Sequence, residues 1–164
     1  MSRYRFLLKK FSLTLTTAVL CQGLLTSISV ITLCSLCYAN EAEVCRMCGM
    51  DAARSQTEFV IHFSDGSKEF ACCLHCVYLL QNFIKEKTAS ILETRDFTTG
   101  DLIDARQAYY LHKSSLIPKG SMAPFLPAFS KVETAKNYAK KYSGEVISFD
   151  EALKIVESFD KEVS

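Results

Sequence analysis

Two clusters of cysteine have the residue types and the spacing of a metal site. The first cluster, in C-R-M-C-G-M, contains Cys45 and Cys48. The second cluster, in F-A-C-C-L-H-C, contains Cys72, Cys73 and Cys76. Thiolates on a tight turn can bind one ion together, and Gly49 has the backbone freedom that such a turn requires. The second cluster begins a helical pattern, in which residues three apart share a face. A knuckle, a hairpin and a helix N-terminus around one ion describe a treble-clef-like zinc or copper site.

The choice of ligands within the second cluster stays open. Cys73 and Cys76 form a C-x-x-C pair, whereas Cys72 and Cys76 form a C-x-x-x-C pair. Adjacent residues face different ways, so the spacing does not decide which of Cys72 and Cys73 accompanies Cys76. All three therefore remain candidate ligands, together with both cysteines of the first cluster.

The donor types leave two metal ions open. Four thiolates suit structural zinc, whereas thiolate combined with thioether suits the soft ion Cu(I). Met47, Met50 and Met122 favour copper, although a methionine beside a knuckle can equally fill a gap in a core. Met122 lies in the proline-rich segment 113–127, where packing constrains a side chain less.

Catalytic alternatives have weaker support. His75 lies between two cysteines and is either a ligand or an exposed helical residue, while His62 on a strand face is expected to be structural. A nucleophile pair of Cys76 and His112 has no flanking signature. A thiol-disulfide enzyme carries C-x-x-C at the start of a helix after a strand, whereas the first cluster here precedes a hairpin. Five cysteines also cannot all pair as disulfides.

The first 39 residues have the pattern of a targeting segment. Four basic residues lie within the first ten, and residues 11–40 contain no charge. This pattern predicts a signal peptide cleaved after Ala39, or an uncleaved membrane anchor, since about 20 apolar residues can span a bilayer. Lipidation of a cysteine is disfavoured, because leucine precedes each candidate: Cys21, Cys34 and Cys37. Residues 40–164 are therefore expected to be exported, and either soluble in the periplasm or tethered by residues 11–39.

The composition of the exported part excludes a nucleic-acid partner. It contains 15 Lys and Arg against 18 Asp and Glu, so its net charge is slightly negative. About 125 residues suffice for one ordinary domain. We expect a cysteine-rich metal-binding module at 40–90, with a C-terminal α+β module at 91–164 packed on it.

Periodicity in the first module predicts a hairpin and a helix. Asp65 and Gly66 separate two apolar runs, which is a strong hairpin signal. The next run predicts a helix with an apolar stripe formed by Val77, Leu80, Phe83 and Ile84. Strands are predicted at 91–97 and 108–112, and three prolines exclude regular structure from most of 113–127.

The second module is predicted to end in helix, strand and helix. Ser130 and Glu133 form a capping-box signature, before a stripe that contains Ala135 and Tyr138, and Gly144 is expected to close this helix. Residues 145–149 are expected to form a strand. Asp150 is then predicted to cap a final helix that buries Ala152, Leu153, Val156 and Phe159. The fold class is therefore α+β.

Taken together, these motifs resemble the NosL family of nitrous-oxide reductase accessory proteins. The resemblance is carried by C-R-M-C-G-M, D-F-T-T-G-D-L-I-D-A-R-Q-A-Y-Y-L, S-M-A-P-F-L-P-A-F and G-E-V-I-S-F-D-E. F-A-C-C-L-H-C is similar to a subset that is related to heavy-metal treble clefs. The resemblance implies Cys45, Cys48, Met50 and Met122 as copper ligands.

The resemblance implies a binding protein rather than an enzyme. Its function would be to carry Cu(I) outside the cytoplasmic membrane and to deliver it to nitrous-oxide reductase, with a membrane transporter complex as partner. A thioether from Met122, on an exposed and flexible loop, would leave the ion first and open a position to the acceptor. The alternatives are a structural-zinc module for protein docking and a thiol-disulfide oxidoreductase.

Overall fold

A computed structural model describes residues 43–84 and 88–163. The predictions for the N-terminal targeting segment, including cleavage after Ala39, lie outside these residues. Within them, no helix combines the length and the apolar character needed to cross a membrane. The mixture of helices and antiparallel sheets confirms the predicted α+β class.

The predicted hairpin follows the first cysteine cluster. Strands β1 (Phe59–Phe63) and β2 (Lys68–Ala71) pair antiparallel, with Gly66 in the turn between them at a φ of 83°. The turn is held by the Asp65 carboxylate, which accepts hydrogen bonds from the Ser67 amide and hydroxyl. Strands β3 (Ala89–Arg95) and β4 (Leu102–Asp104) extend this sheet in the order β2-β1-β3-β4.

Helix α1 (Leu74–Phe83) follows β2 and covers the sheet with most of its predicted stripe. Val77 and Leu80 are buried, and Ile84 packs partly buried against the core. The prediction was wrong for Phe83, which is 76% exposed. At 3.6 residues per turn Phe83 lies about 120° round the helix from Val77, at the edge of the stripe and at the helix end.

The second sheet has the order β6-β5-β7 and is covered by two helices. Its strands are β5 (Tyr109–His112), β6 (Ala128–Phe129) and β7 (Glu145–Ile147), and its helices are α2 (Val132–Tyr142) and α3 (Phe149–Val163). Tyr110 is fully buried and donates its hydroxyl to the Ala105 carbonyl. Ala152 and Val156 of α3 belong to the same hydrophobic core as the buried cysteines.

The starts of α2 and α3 correct two predictions. Ser130 does not cap α2: the N-cap is Lys131, which makes no side-chain cap hydrogen bond, and the Ser130 amide donates to Asp96 instead. Asp150 lies inside the first turn of α3 rather than at its cap. The capping box belongs to Ser148 and Glu151, whose side chains each bond the other's backbone amide.

The end of α2 also differs from prediction. Ser143, and not Gly144, adopts the left-handed conformation, with a φ of 53°. The Gly144 amide still donates to the Ala139 carbonyl across the helix end. A side chain at Gly144 would begin 2.9 Å from the His112 carbonyl oxygen. Glycine is therefore required there by the close approach of β5.

The proline-rich segment 113–127 contains no helix or strand, as predicted, but it is anchored. The Lys119 amide donates to the Gln56 side chain, and the Gln56 amide donates to the Lys119 carbonyl. Gly120 lies against the backbone of Ser55. Two-point attachment holds the segment beside the chain that leads from the first cysteine cluster into β1.

Candidate metal centre

Four cysteine sulfurs converge at the junction of the knuckle, β2 and α1. The Sγ atoms of Cys45, Cys48, Cys72 and Cys76 all lie within 4.8 Å of one another. Cys48 is 3.5 Å from Cys72, Cys72 is 3.6 Å from Cys76, and Cys76 is 3.9 Å from Cys48. Both predicted clusters thus meet at one point.

The size of this group fits a metal ion. Zinc binds thiolate at about 2.3 Å, which places the corners of a tetrahedron of sulfurs about 3.8 Å apart. The three sulfur separations given above, from 3.5 to 3.9 Å, bracket that value. The donors are all soft sulfur, so the group also suits Cu(I).

The knuckle is built by backbone hydrogen bonds around Gly49. The Cys45 amide donates to the Met50 carbonyl at 2.7 Å, and the Gly49 amide donates to the Cys45 carbonyl at 2.9 Å. Gly49 adopts a φ of 73°, which glycine reaches without steric cost. The Arg46 amide donates to the Phe70 carbonyl, which fixes the knuckle against β2.

The second cluster enters the site from the start of α1. Cys72 directly follows β2, Cys73 is the N-cap residue of α1, and Cys76 lies in its first turn. The positive end of a helix dipole favours thiolate over thiol. The structure places Cys72 among the four close sulfurs, while Cys73 lies outside that group, 3.9 Å from the Cys72 sulfur.

Two buried hydroxyls position Cys72. Ser55 and Thr57 both donate to the Cys72 carbonyl, at 2.6 and 2.8 Å, and their oxygens lie 3.2 Å apart. Both residues are almost fully buried. Sequence reasoning missed them, and the only signal was a pair of hydroxyl residues with strand spacing immediately before β1.

The thiols share protons within the cluster. Hydrogen bonds with Cys72 and Cys76 lower the pKa of Cys45 far below its ordinary value. The same two partners lower the pKa of Cys73 to about 3. Hydrogen bonds with Cys45 raise the pKa of Cys72 and of Cys76. A bound cation would displace the protons that remain on these thiols.

Exposure distinguishes Cys48 from the other thiols. Among the five cysteines of the described residues, Cys48 is exposed, whereas the other four are at most 2% exposed. A thiolate of a partner molecule can therefore reach the cluster from the Cys48 side.

Comparison with known proteins places the chain in a family. The sequence matches the NosL family over residues 37–155. The chain belongs to the NosL family. The fold is similar to the crystal structure of the copper chaperone NosL from Shewanella denitrificans, with a TM-score of 0.55 and 17% identity over 68% of this chain and 90% of that one. No curated protein matches the sequence.

Membership of the NosL family confirms two predictions. The predicted family resemblance is correct, and the prediction of a protein that is not an enzyme follows from it, because NosL proteins are copper chaperones. The thiol-disulfide oxidoreductase alternative is therefore set aside.

The predicted methionines of this NosL protein pack against the core that includes the cysteines. Met47, Met50 and Met122 are partly buried and pack against the core that contains the cysteines. The backbone of Met122 is among the groups that lower the pKa of Cys73, so it lies near the second cluster. The roles of Met50 and Met122 as ligands stay predictions.

The three histidines of the NosL chain bond to carboxylates instead of joining the sulfurs. His75 is only 11% exposed and lies 3.2 Å from Asp160 of α3, with its ring edge against Phe159. His62 lies 2.7 Å from Glu93 on the neighbouring strand, as expected of a structural residue. His112 lies 3.0 Å from Glu145 across β5 and β7.

Proposed function

We propose that this protein is an exported Cu(I) chaperone. The observation that carries the proposal is a group of four convergent thiols, of which three are buried and one is exposed. Soft thiolate donors select Cu(I) over harder cations. The relative of known structure is described as a copper chaperone, which supports the same ion here.

Transfer of copper would proceed by ligand exchange at Cys48. The buried thiols of Cys45, Cys72 and Cys76 are inaccessible to a partner and would keep the ion while the exchange takes place. A sulfur donor of the acceptor would bind on the exposed side and replace Cys48 first. The ion would then pass through a mixed-ligand intermediate without entering solution.

The sequence pattern supports a compartment, and the family supports a client. The basic start and the uncharged residues 11–40 support export, either with cleavage after Ala39 or with the segment retained as a tether. NosL membership supports nitrous-oxide reductase as the copper enzyme served, with its membrane transporter complex as the docking partner. The copper would thus be handed over in the periplasm.

Structural zinc in a protein-docking module is the second candidate function. The observation in its favour is the sulfur spacing, which is close to that of a zinc tetrathiolate. Under this alternative the metal would only stabilise the fold, and removing it would unfold the chain.

The test is a metal exchange carried out without oxygen. We expect the reduced full chain to retain Cu(I) against a chromophoric Cu(I) chelator and to load copper into apo nitrous-oxide reductase. Replacing Cys45 and Cys48 by serine should lower the amount of copper retained and abolish transfer, whereas Ser90→Ala, at an exposed hydroxyl, should change neither. Tightly held zinc that copper cannot displace would establish the second candidate instead.

A further inference from the structure

The fifth thiol, Cys73, contacts the metal cluster without being one of its four close members. Its sulfur lies 3.9 Å from that of Cys72, and Cys76 follows it three positions later in the first turn of α1, so the two side chains share a face of the helix. The Cys45 sulfur lies within 4.8 Å of the sulfurs of both Cys72 and Cys76. The pair Cys72 and Cys76, with sulfurs 3.6 Å apart, is therefore a shared edge between two groups of thiols.

The shared edge belongs to two triangles of sulfur. One triangle is completed by Cys48, which lies 3.5 Å from Cys72 and 3.9 Å from Cys76. The other is completed by Cys73, which lies 3.9 Å from Cys72 and on the same face of the start of α1 as Cys76. Cu(I) adopts a low coordination number, about two or three, and thiolate sulfur can bridge two such ions. Each triangle thus offers a complete set of ligands for one Cu(I).

Charge also favours more than one monovalent ion. Four thiolates around a single Cu(I) would leave three negative charges uncompensated, one more than around Zn²⁺, in a site where three of the four sulfurs are buried. Uncompensated buried charge is costly. Around all five thiolates, with Cys73 included, one Cu(I) leaves four negative charges and two Cu(I) leave three, so the second ion removes part of that cost.

We propose that the cluster holds two Cu(I) ions, bridged by the thiolates of Cys72 and Cys76, with Cys73 as a ligand of the second ion only. The proposal rests on the proposed function, since it gives the copper capacity of the same site. It also predicts a different number of bound ions for each metal. The site would bind two Cu(I) but one Zn²⁺, because zinc needs only the four close sulfurs.

Counting of bound metal tests this proposal. The full chain would be purified in detergent, reduced and without oxygen, with Cys21, Cys34 and Cys37 replaced by serine in every sample so that they bind no copper. Cu(I) would be added from a competing chelator, and zinc in separate samples. We expect two Cu(I) per chain, falling twofold to one in Cys73→Ser, and one Zn²⁺ per chain in both proteins.

Serine is a suitable replacement because Cys73 is the N-cap residue of α1, a position that serine favours. Unchanged zinc stoichiometry would show that the variant keeps its fold. Copper X-ray absorption on the parent protein gives a second measurement, in which copper-copper scattering is expected beside copper-sulfur scattering.

The outcomes are distinguishable. One Cu(I) in both proteins, or two in both, would overturn the two-ion proposal and leave the chaperone function intact. A parent spectrum with sulfur scattering alone would overturn it as well, whatever the variant does. A parent protein that retains no copper would overturn the proposed function itself.

Discussion

The sulfur atoms of Cys48 and Cys72 lie 3.5 Å apart, although 24 positions separate the residues in sequence and only Cys48 is exposed. This contact joins the knuckle to the chain between β2 and α1. It gives the cluster a buried part and an accessible part, which is the arrangement that ligand exchange with a partner requires.

Replacing Cys48 by serine should slow copper transfer and leave the fold largely unchanged. Its side chain is exposed, so the loss of packing is small, but the ion loses its accessible thiolate. We expect Cu(I) affinity to fall by about tenfold or more, or about 1.4 kcal/mol. Competition with a chelator measures the affinity, and stopped-flow mixing with an acceptor measures the rate. An unchanged transfer rate would exclude Cys48 as the first ligand exchanged.

Removing the two hydroxyls that donate to the Cys72 carbonyl should weaken metal binding, although neither hydroxyl is a ligand. In the double variant Ser55→Ala, Thr57→Val the buried Cys72 carbonyl loses both side-chain donors. We expect the loss to cost about 1 to 3 kcal/mol of unfolding free energy and to lower metal affinity by about tenfold. Ser90→Ala is the matched control, since its hydroxyl donates to a carbonyl at the surface. If Ser90→Ala changed stability and metal affinity as much as the double variant does, the two hydroxyls would have no specific role at Cys72.

The sequence alone predicted the cysteines of the site but not the residues that position them. Cysteine is rare and its spacing has few uses, so both clusters could be assigned to one site before any coordinates. Ser55 and Thr57 could not be assigned to the site from sequence, because hydroxyl residues are common. Their importance depends on Cys72, which comes 15 or more positions later. The choice between Cys72 and Cys73 likewise depended on where β2 ends and α1 begins.

Asp96 is the second feature that only the structure reveals. It is almost completely buried, and its carboxylate accepts hydrogen bonds from Thr98 and from the Ser130 amide. Burial opposes its charge, but the hydrogen bonds from Ser130 and Thr98 prevail and lower the pKa of Asp96 to about 2. Asp96 therefore joins the end of β3 to the segment before α2.

Replacing Asp96 by asparagine should destabilise the protein in a pH-dependent way. The amide presents N–H groups to donors, so we expect a loss of about 2 kcal/mol at neutral pH. A lowered pKa stabilises the fold above the ordinary value of 3.8, and this contribution is lost as the pH falls toward about 2. Urea unfolding of both proteins should therefore give a difference that is constant above pH 5 and shrinks below pH 4. A constant difference down to pH 2 would contradict the role of the carboxylate.

The error at Ser130 has the same origin as the omission of Asp96. Ser130 and Glu133 match a capping box locally, but the Ser130 amide is already used by a carboxylate 34 positions earlier. At Ser148 and Glu151 each amide bonds to the side chain of the other residue, and the box forms. Local patterns predict helix ends only where no distant side chain competes for the same amide.

Replacing Ser143 by glycine should stabilise the protein. Ser143 closes α2 with a φ of 53°, a conformation that costs a residue with a side chain about 1 to 2 kcal/mol. Part of this gain is offset by the greater freedom of glycine in the unfolded chain. We expect the unfolding free energy to rise by about 0.5 to 1 kcal/mol, measured by urea titration. Ser143→Ala, which keeps the strain, is the control and should give no gain.

Met122→Leu tests whether the thioether of Met122, whose backbone lies near Cys73, binds copper. Leucine keeps the size of the side chain and removes the sulfur, so stability should change by less than about 1.5 kcal/mol. We expect Cu(I) affinity to fall by about tenfold, while zinc affinity stays constant, because zinc in proteins is bound by thiolate, imidazole and carboxylate rather than thioether. Met47→Leu is the matched control, as Met47 also packs partly buried against the core. If both variants bind Cu(I) like the parent chain, the methionines serve packing alone and the thiols carry the copper unaided.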